Sequence, residues 1–338
     1  MDEFRTDTES VRLLQLSGAY LQARAVHLAA KLDLADLLVD GPRSAAELAG
    51  ETGTNPDALY RLMRLLAGCG IFTEQSYGIF SLTNLGERLT TDHPSSVRTK
   101  VAMNGFLASV FTNVEYSLRT GKPAFDEEFG QPFFQYLREH PEKGALFAAG
   151  MAEQSRIEAT AVLESHDFAA AGPLIDVGGG NGAQLLAIAQ RHRALRGVLF
   201  DQPQVAEAAG RRFAEHGVAD RCTAIGGDFF ADVPPGGRTY LLKSVLHDWS
   251  DDDARTILTS CRRVMGPGST LLVVERVLPE GDAPHPSKAF DLAMLVLLGG
   301  RERTASEYTA LLTETGFRPT RTVATGSPLS IIEAVPTD

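Results

Sequence analysis

One histidine and two acidic residues stand where the chain could carry out acid–base chemistry. His247 follows a predicted strand in the stretch Leu-Lys-Ser-Val-Leu-His-Asp-Trp, which contains the only tryptophan of the chain. Glu275 leaves the next predicted strand, and Glu302 lies in the stretch Gly-Gly-Arg-Glu-Arg-Thr. A histidine changes its charge near neutral pH and can therefore take up a proton. A lone histidine is usually structural, but here both acids can reach the same region, which indicates a candidate site.

A glycine loop in front of this region predicts a nucleotide-containing ligand. Residues 174–182 read Leu-Ile-Asp-Val-Gly-Gly-Gly-Asn-Gly, which predicts a strand that runs into a loop and then a helix. Gly178, Gly180 and Ala183 also fit the dinucleotide-binding fingerprint, so the glycines alone leave a nicotinamide dinucleotide open. The pyrophosphate of such a ligand needs bare N–H groups. A carboxylate directly before the glycines, Asp176, better suits a cationic group such as the ammonium of a methionine tail.

Two further acids at strand ends favour S-adenosylmethionine (SAM) as that ligand. Asp201 ends the second predicted strand and can accept hydrogen bonds from a ribose diol, a contact that both ligand classes would use. Asp228 and Phe229 follow the third strand, where a carboxylate can accept from an adenine amino group while the ring packs on the base. The carboxyl ends of successive parallel strands are where open α/β sheets bind ligands. SAM explains all of these positions.

The surrounding pattern predicts an α/β domain with a doubly wound sheet, because short apolar strands alternate with helices from residue 173 onward. The predicted strands cover residues 174–177, 198–200, 223–225, 239–242, 270–274, 321–324 and 329–335. The last two are joined by a short connection that contains Gly326-Ser327-Pro328, which requires an antiparallel pair. An antiparallel strand that closes an otherwise parallel sheet is characteristic of Rossmann-like methyltransferase sheets.

The first hundred residues predict a separate helical module. Apolar residues recur at helical spacing from residue 13 to 38 around much of the circumference, as in a helix at the centre of a core or at a subunit interface. Ser44 and Glu47 form a capping-box pattern before a short helix, Asn55-Pro56 starts another, and residues 71–73 and 79–82 predict a hairpin. Helix, helix and hairpin outline a winged helix, which raises the hypothesis of DNA binding.

Charge and composition argue against nucleic acid, a membrane or a metal as partner. Residues 1–100 hold ten lysines and arginines against thirteen aspartates and glutamates, and the whole chain of 338 residues has a net charge of −11. Phosphate binding needs a concentrated positive field, so dimerisation is the preferred role for the N-terminal module. The sequence predicts no signal peptide, no membrane span and no metal site, and the spacing of the three cysteines predicts no disulfide framework. A cytoplasmic location is expected by default.

The ordered motifs together resemble the plant-type, caffeic-acid-like O-methyltransferase family, in its bacterial natural-product branch. They are the stretch 176–182, Phe200-Asp201, Gly227-Asp228-Phe229, His247-Asp248-Trp249, Glu275 and the stretch 299–304. The resemblance covers essentially the whole chain. It implies a Rossmann-like class I methyltransferase sheet with an N-terminal winged-helix dimerisation domain, and hence a homodimer.

Carried over by position, the resemblance also implies the roles of individual residues. His247 would be the general base, and Glu275 and Glu302 would flank and orient it. Besides Asp176, which follows from the strand-end argument, the expected cofactor contacts are Gly178, Gly180, Asp201, Asp228, Phe229 and Lys243. The expected substrate contacts, which are weaker because pocket residues change with substrate, are Phe147, Met151, Asp291 and Met294.

The expected activity is SAM-dependent methylation of a phenolic hydroxyl on a small aromatic natural product such as a polyketide or phenazine. The expected domains are a dimerisation domain (1–100), a helical linker that contributes to the substrate pocket (101–168) and a catalytic domain (169–338). Two alternatives stay open: the same fold and cofactor diverted to hydroxylation, decarboxylation or a pericyclic reaction, and a winged-helix regulator that only senses the cofactor. The sequence leaves open which ring, which hydroxyl, or whether a nitrogen is the acceptor.

Overall fold

The computed structural model describes residues 8–338, which divide into two compact units. The first consists of the described residues up to Ser109 together with Pro141–Gln154, and the second of Val110–His140 and Ser155–Asp338. Each unit is built around its own apolar core.

The first unit is a helical module with a small sheet. Its helices are α1 (Thr8–Lys31), α2 (Ala45–Thr52), α3 (Pro56–Gly68) and α4 (Arg98–Leu107), and it takes in the first part of a long later helix, Pro141–Ser165. Its strands are β1 (Arg43–Ser44), β2 (Phe72–Ser76) and β3 (Ile79–Leu82), in the antiparallel order β1-β3-β2. The predicted hairpin is therefore present. The capping box is present too: Ser44 Oγ accepts from the backbone N–H of Glu47, and Glu47 Oε2 accepts from that of Ser44.

The prediction of helical structure up to residue 38 was wrong at its C-terminal end. Helix α1 ends at Lys31, and Asp33 adopts a left-handed conformation with φ 53°. The carboxylate of Asp33 accepts a hydrogen bond of 2.8 Å from Arg98 Nε, and a 3-10 turn at Asp36–Leu38 follows. Apolar periodicity does not register a single left-handed residue that a distant arginine stabilises.

Residues 13–21 of α1 carry an exposed apolar surface in the single chain. Five large side chains on it are each more than half exposed: Leu13, Leu14, Leu16, Tyr20 and Leu21. Ala25, Ala29 and Ala30, in the second half, are buried. A contiguous exposed apolar surface of this kind marks an interaction site, so the core interpretation is wrong for residues 13–21, and a subunit interface stays the prediction for them.

Three short helices and one long helix follow α4 in the chain, before the first strand of the large sheet. They are α5 (Val114–Thr120), α6 (Ala124–Phe129), α7 (Phe133–Glu139) and α8 (Pro141–Ser165). Gly121 and Gly130 end α5 and α6 in the left-handed conformation, with φ near 70°. A proline follows each glycine by two residues, so the helical chain breaks where the sequence predicts it.

The second unit contains an eight-stranded, mostly parallel sheet. Its strands are β4 (Leu174–Val177), β5 (Gly197–Asp201), β6 (Cys222–Gly226), β7 (Thr239–Lys243), β8 (Thr270–Leu278), β9 (Arg303–Thr304), β10 (Phe317–Ala324) and β11 (Leu329–Pro336). The helices between them are α9 (Ala183–Arg191), α10 (Pro203–Glu215), α11 (Asp251–Val264), α12 (Pro286–Leu298) and α13 (Ala305–Glu314). The order is β10-β11-β8-β7-β4-β5-β6, with β9 paired to β8. The predicted antiparallel closing pair is confirmed, since β11 lies antiparallel to both β10 and β8.

The topology places the ligand edge of the sheet at β4. The chain runs from β4 through β5 to β6 and then returns to β7 on the other side of β4. Ligands bind at such a switch point, outside the carboxyl ends of the strands. Strand side chains alternate between two buried cores: Tyr240 and Leu242 face one, and Leu241 faces the other. Because both faces are covered, the residues at the strand ends are the ones left to bind ligands.

Candidate active site

The glycine loop after β4 is shaped by close packing. Gly178 has a φ of 69°, and a Cβ added to it would lie 2.8 Å from Val245 Cγ2 and 3.6 Å from Phe229 Cε1. A Cβ on Gly179 would lie 2.7 Å from Asp176 Oδ2. Any side chain at these two positions would therefore collide with neighbouring atoms. The predicted ligands Gly178, Asp176 and Phe229 are thus brought together around one loop.

Asp176 fits a cationic ligand group. It is 1% exposed, and no described residue hydrogen-bonds to its Oδ2. Burial raises the pKa of this carboxyl to about 7, with the charge of Lys243 opposing the rise and that of Asp201 adding to it. A buried carboxylate with an oxygen left without a partner is stabilised by an incoming cation. The ammonium of SAM has that chemistry.

The other two acids at the strand ends are already held by backbone groups. Asp201 accepts from the N–H of Gly180 (2.8 Å) and from that of Gln202 (2.7 Å), one on each oxygen. Asp228 accepts from the N–H of Phe230 at 2.9 Å. A carboxylate oxygen can accept more than one hydrogen bond, so both acids are fixed in orientation and keep capacity for a sugar hydroxyl or an amino group.

The candidate base is held by a buried carboxylate. His247 lies on a 3-10 turn after β7, and Glu275, on β8, is completely buried. Glu275 Oε2 lies 2.7 Å from His247 Nδ1, while Oε1 accepts from the backbone N–H groups of Val245 and Leu246 at 2.8 and 2.7 Å. One carboxylate thus fixes both the ring and the turn that carries it. Burial alone would lower the pKa of His247, but the charges of Glu275 and Asp248 raise it well above its ordinary value.

Glu302 stands beside this pair without a hydrogen bond from any described residue on either carboxylate oxygen. Its Oε1 lies 3.9 Å from His247 Nδ1 and 4.0 Å from Arg276 Nε. Burial raises the pKa of Glu302 to about 8; His247 and Arg276 oppose the rise, and Glu275 and Asp291 add to it. The structure therefore brings the histidine and both acids together, as the sequence predicts.

A buried arginine fixes the segment that bears His247. Arg303 is 1% exposed and donates to the carbonyl of Leu246 (2.8 Å), to that of Trp249 (3.0 Å) and to the carboxylate of Asp251. The N–H of Arg301 donates to the carbonyl of His247 at 2.9 Å. These bonds come from the stretch that also carries Glu302, so the turn and Glu302 are positioned as one assembly.

The three buried groups could also hold a metal ion, since ligand atoms of His247, Glu275 and Glu302 all lie within 4.8 Å of one another. The same spacing suits proton transfer, because a histidine oriented by a carboxylate is the usual arrangement for general base catalysis.

Lys243, a predicted cofactor contact, is already engaged. Its Nζ lies 3.0 Å from Glu158 Oε2, and its side chain is 8% exposed.

The predicted substrate residues belong to different units. Phe147 and Met151 lie on α8 in the first unit, and Asp291 and Met294 lie on α12 in the second. Asp291 accepts from the backbone N–H of Glu302 at 2.8 Å, so it helps to fix the candidate acid. Met294 is buried, at 6% exposed.

Sequence reasoning did not select Glu158, Arg276 or Arg303. Arg276 stands next to Glu275, and Arg303 next to Glu302, in stretches that drew attention only through their acids. Glu158 lies in the middle of a helix that carries several other acids, and nothing in its neighbourhood sets it apart. Burial is what distinguishes these three charged residues, and it depends on the folded chain.

Known families share this architecture. A family model described as an O-methyltransferase domain matches residues 111–318, and one described as an O-methyltransferase dimerisation domain matches residues 14–92. The chain belongs to the O-methyltransferase family, and it is a SAM-dependent O-methyltransferase.

Three relatives are similar over nearly their whole length. The phenazine O-methyltransferase PhzM of Lysobacter antibioticus is 44% identical, over 96% of this chain and 95% of that protein. The O-demethylpuromycin-O-methyltransferase of Streptomyces alboniger is 42% identical, over 96% of this chain and 89% of that one. The structure of CalO1, a methyltransferase in calicheamicin biosynthesis with S-adenosylhomocysteine bound, has a TM-score of 0.88 at 39% identity and covers 100% of both chains.

The match to the dimerisation domain supports a homodimer. Among the described residues, no helix has the length and apolarity needed to cross a membrane.

Proposed function

We propose that this enzyme methylates a phenolic hydroxyl of a small aromatic natural product, with His247 as general base and Glu275 and Glu302 as its flanking acids. The observation that carries the proposal is the 2.7 Å contact between Glu275 Oε2 and His247 Nδ1. With Nδ1–H committed to Glu275, the free lone pair is on Nε2. Because His247, Glu275 and Glu302 are all present at the site, we prefer methylation to hydroxylation, decarboxylation or a pericyclic reaction.

The chemistry follows from that tautomer. SAM, when bound, would supply the methyl group: its S–C bond breaks as the acceptor oxygen forms the new O–C bond in line with it, and S-adenosylhomocysteine leaves as a neutral thioether. The O–H bond of the acceptor breaks as the new O–C bond forms, and His247 takes the proton at Nε2. Glu275 keeps its hydrogen bond to Nδ1–H and stabilises the imidazolium. Asp248 Oδ1 now lies 3.2 Å from Nε2, so its side chain must turn aside to admit the acceptor hydroxyl.

The acceptor class is inferred from the relatives. Their names specify a phenazine and O-demethylpuromycin, each of which is a small molecule with aromatic rings. Phe147, Met151, Asp291 and Met294 are proposed to contact the acceptor, since apolar side chains with a few polar groups suit a flat aromatic ligand.

A direct test of the proposed function is incubation with labelled SAM and a panel of phenazines, phenolic polyketides and phenylpropanoids. The expected product is heavier than the acceptor by one methyl group, and cofactor binding without methylation of any acceptor would contradict the proposal. The product is also expected to form equally well in the presence of EDTA. Loss of turnover in EDTA would indicate that the reaction needs a metal ion.

The role of Asp176 predicts a pH-dependent affinity for SAM. Since its pKa is raised to about 7, the carboxyl is mostly neutral at pH 6 and mostly ionised at pH 8. Only the ionised form attracts an ammonium, so affinity measured by calorimetry is expected to rise by about tenfold between these pH values. Asp176→Asn is expected to bind SAM weakly with no such rise. Equal wild-type affinity at both pH values would refute the assignment.

Dimerisation through the N-terminal module, taken as residues 1–100, is proposed from the exposed apolar surface of residues 13–21 on α1. Light scattering is expected to give about twice the 36.4 kDa mass of one chain. The double variant Leu14→Glu/Leu21→Glu places charges on this surface and is expected to shift the mass toward the monomer. Gln15→Glu, an exposed polar position on the same helix, is the matched control. A monomeric wild type, or a double variant that stays dimeric, would contradict the proposal.

A further inference from the structure

A buried cluster of one carboxylate and two cations lies beside the candidate active site. Glu158, on α8, receives Lys243 Nζ on Oε2 at 3.0 Å and Arg276 Nη2 on Oε1 at 3.1 Å. The three side chains are 6%, 8% and 11% exposed. Buried charges are costly unless they are paired. Glu158 is therefore a shared counter-ion for two cations that come from neighbouring strands, β7 and β8.

The Lys243 side of this cluster faces the cofactor region. Lys243 ends β7, next to β4, and its charge lowers the pKa of Asp176. Asp176 is the carboxylate proposed to receive the ammonium of SAM. If Lys243 were released toward Asp176, its ammonium group would compete with the ammonium of SAM for the negative charge of this carboxylate.

The Arg276 side of the cluster faces the base. The guanidinium lies over the ring of Phe290 at 4.5 Å, and that ring meets His247 edge-on at 5.9 Å between centroids. Its Nε lies 4.0 Å from Glu302 Oε1. Arg276 is thus close to Glu302 without forming a tight pair, and Glu158 is the acid that it binds closely.

We propose that Glu158 is a positioning residue that couples the cofactor region to the base. It holds Lys243 away from Asp176, so that this carboxylate stays available to the ammonium of SAM, and it holds Arg276 beside Phe290 and Glu302. The inference rests on the roles proposed above for Asp176 and His247. Removal of the negative charge leaves two buried cations whose nearest alternative counter-ions are the functional acids themselves.

Glu158→Gln tests the proposal through SAM binding. The amide can still accept hydrogen bonds but no longer neutralises Lys243, so SAM affinity measured by calorimetry is expected to fall by about tenfold. Glu164→Gln makes the same change at an exposed position on the same helix and is expected to leave the affinity unchanged. Wild-type affinity in Glu158→Gln would overturn the proposal.

A double-mutant cycle separates coupling from a loss of structure. In a Lys243→Met background no ammonium competes for Asp176, so adding Glu158→Gln is expected to change SAM affinity little. A general structural role would instead give the same loss in both backgrounds, which would overturn the proposal. If Glu158→Gln does not fold, Glu158→Asp, which keeps the charge on a shorter side chain, replaces it and is expected to show a smaller loss with the same dependence on Lys243.

Asp176→Asn is measured alongside to distinguish two kinds of failure. If Asp176→Asn binds SAM as the wild type does, the assignment of the ammonium to Asp176 fails. If Asp176→Asn binds weakly while Glu158→Gln does not, only the coupling through Glu158 fails.

Discussion

His247→Ala is expected to lower kcat for methyl transfer by about 10²- to 10⁴-fold, the usual contribution of a general base. The affinity for SAM is expected to stay the same, because His247 is not among the expected cofactor contacts, which come from β4 and its glycine loop, β5, the loop after β6 and Lys243 at the end of β7. A phenol with a pKa of ~10 is almost wholly protonated at neutral pH, and His247→Ala removes the group proposed to take that proton. Initial rates and calorimetry on the same preparation provide the two measurements.

His247→Gln is the matched control for this result. Its amide can still donate to Glu275, so the turn and the acid keep a hydrogen bond, but the amide cannot take up a proton. It is expected to be as slow as His247→Ala and to fold more nearly like the wild type. Turnover close to the wild-type value in either variant would contradict the general-base assignment.

Glu275→Gln is expected to lower kcat by a comparable amount, as carboxylates that orient a catalytic histidine do. Glu275 Oε1 accepts from two backbone N–H groups, so the amide oxygen of glutamine takes that place. Its NH₂ group then faces His247 Nδ1 and forces this nitrogen to accept. The ring proton moves to Nε2, and the lone pair needed for the acceptor is lost.

The same substitution is expected to move the acid limb of the pH profile of kcat/KM. A general base works only when it is deprotonated, and the charges of Glu275 and Asp248 raise the pKa of His247 well above its ordinary value. The wild-type acid limb should therefore lie above ~6.5. Loss of the Glu275 charge lowers the pKa of His247, so the limb should move to lower pH while the maximum rate falls. A wild-type limb at or below ~6.5, or a limb that does not move, would contradict this electrostatic account.

Features that depend on local sequence could be predicted, and features that depend on distant charges could not. Asp176, Asp201 and Asp228 were recognisable because each lies at or just beyond the end of an apolar strand, and the ends of parallel strands meet at one edge of the sheet. The capping box at Ser44 and Glu47 was recognisable because both partners lie within one turn. From these patterns the sequence could predict the ligand edge of the sheet and the glycine loop, and the short connection before residue 329 predicted the antiparallel pairing of the last two strands.

The roles of Glu158 and Arg303 depend on contacts that no spacing encodes. Glu158 meets a lysine 85 residues away and an arginine 118 residues away. Arg303 donates to backbone carbonyls of residues more than 50 positions away in the sequence. Every residue type has this carbonyl group, so the sequence gives no sign of the contact. The early end of α1 has the same origin, because the left-handed Asp33 is stabilised by Arg98. Long-range charge pairing becomes visible only when the chain is folded.

The central claim is that His247 removes the acceptor proton during methyl transfer, and a series of phenols of graded pKa tests it most directly. Single-turnover rates of the wild type and of His247→Ala are compared at one pH for each acceptor. The account predicts that the ratio of the two rates is large for phenols that are protonated at that pH and falls toward one for phenols that are already ionised. A ratio that does not depend on the pKa of the phenol would contradict the account, because His247 would then support the reaction in some way other than proton removal.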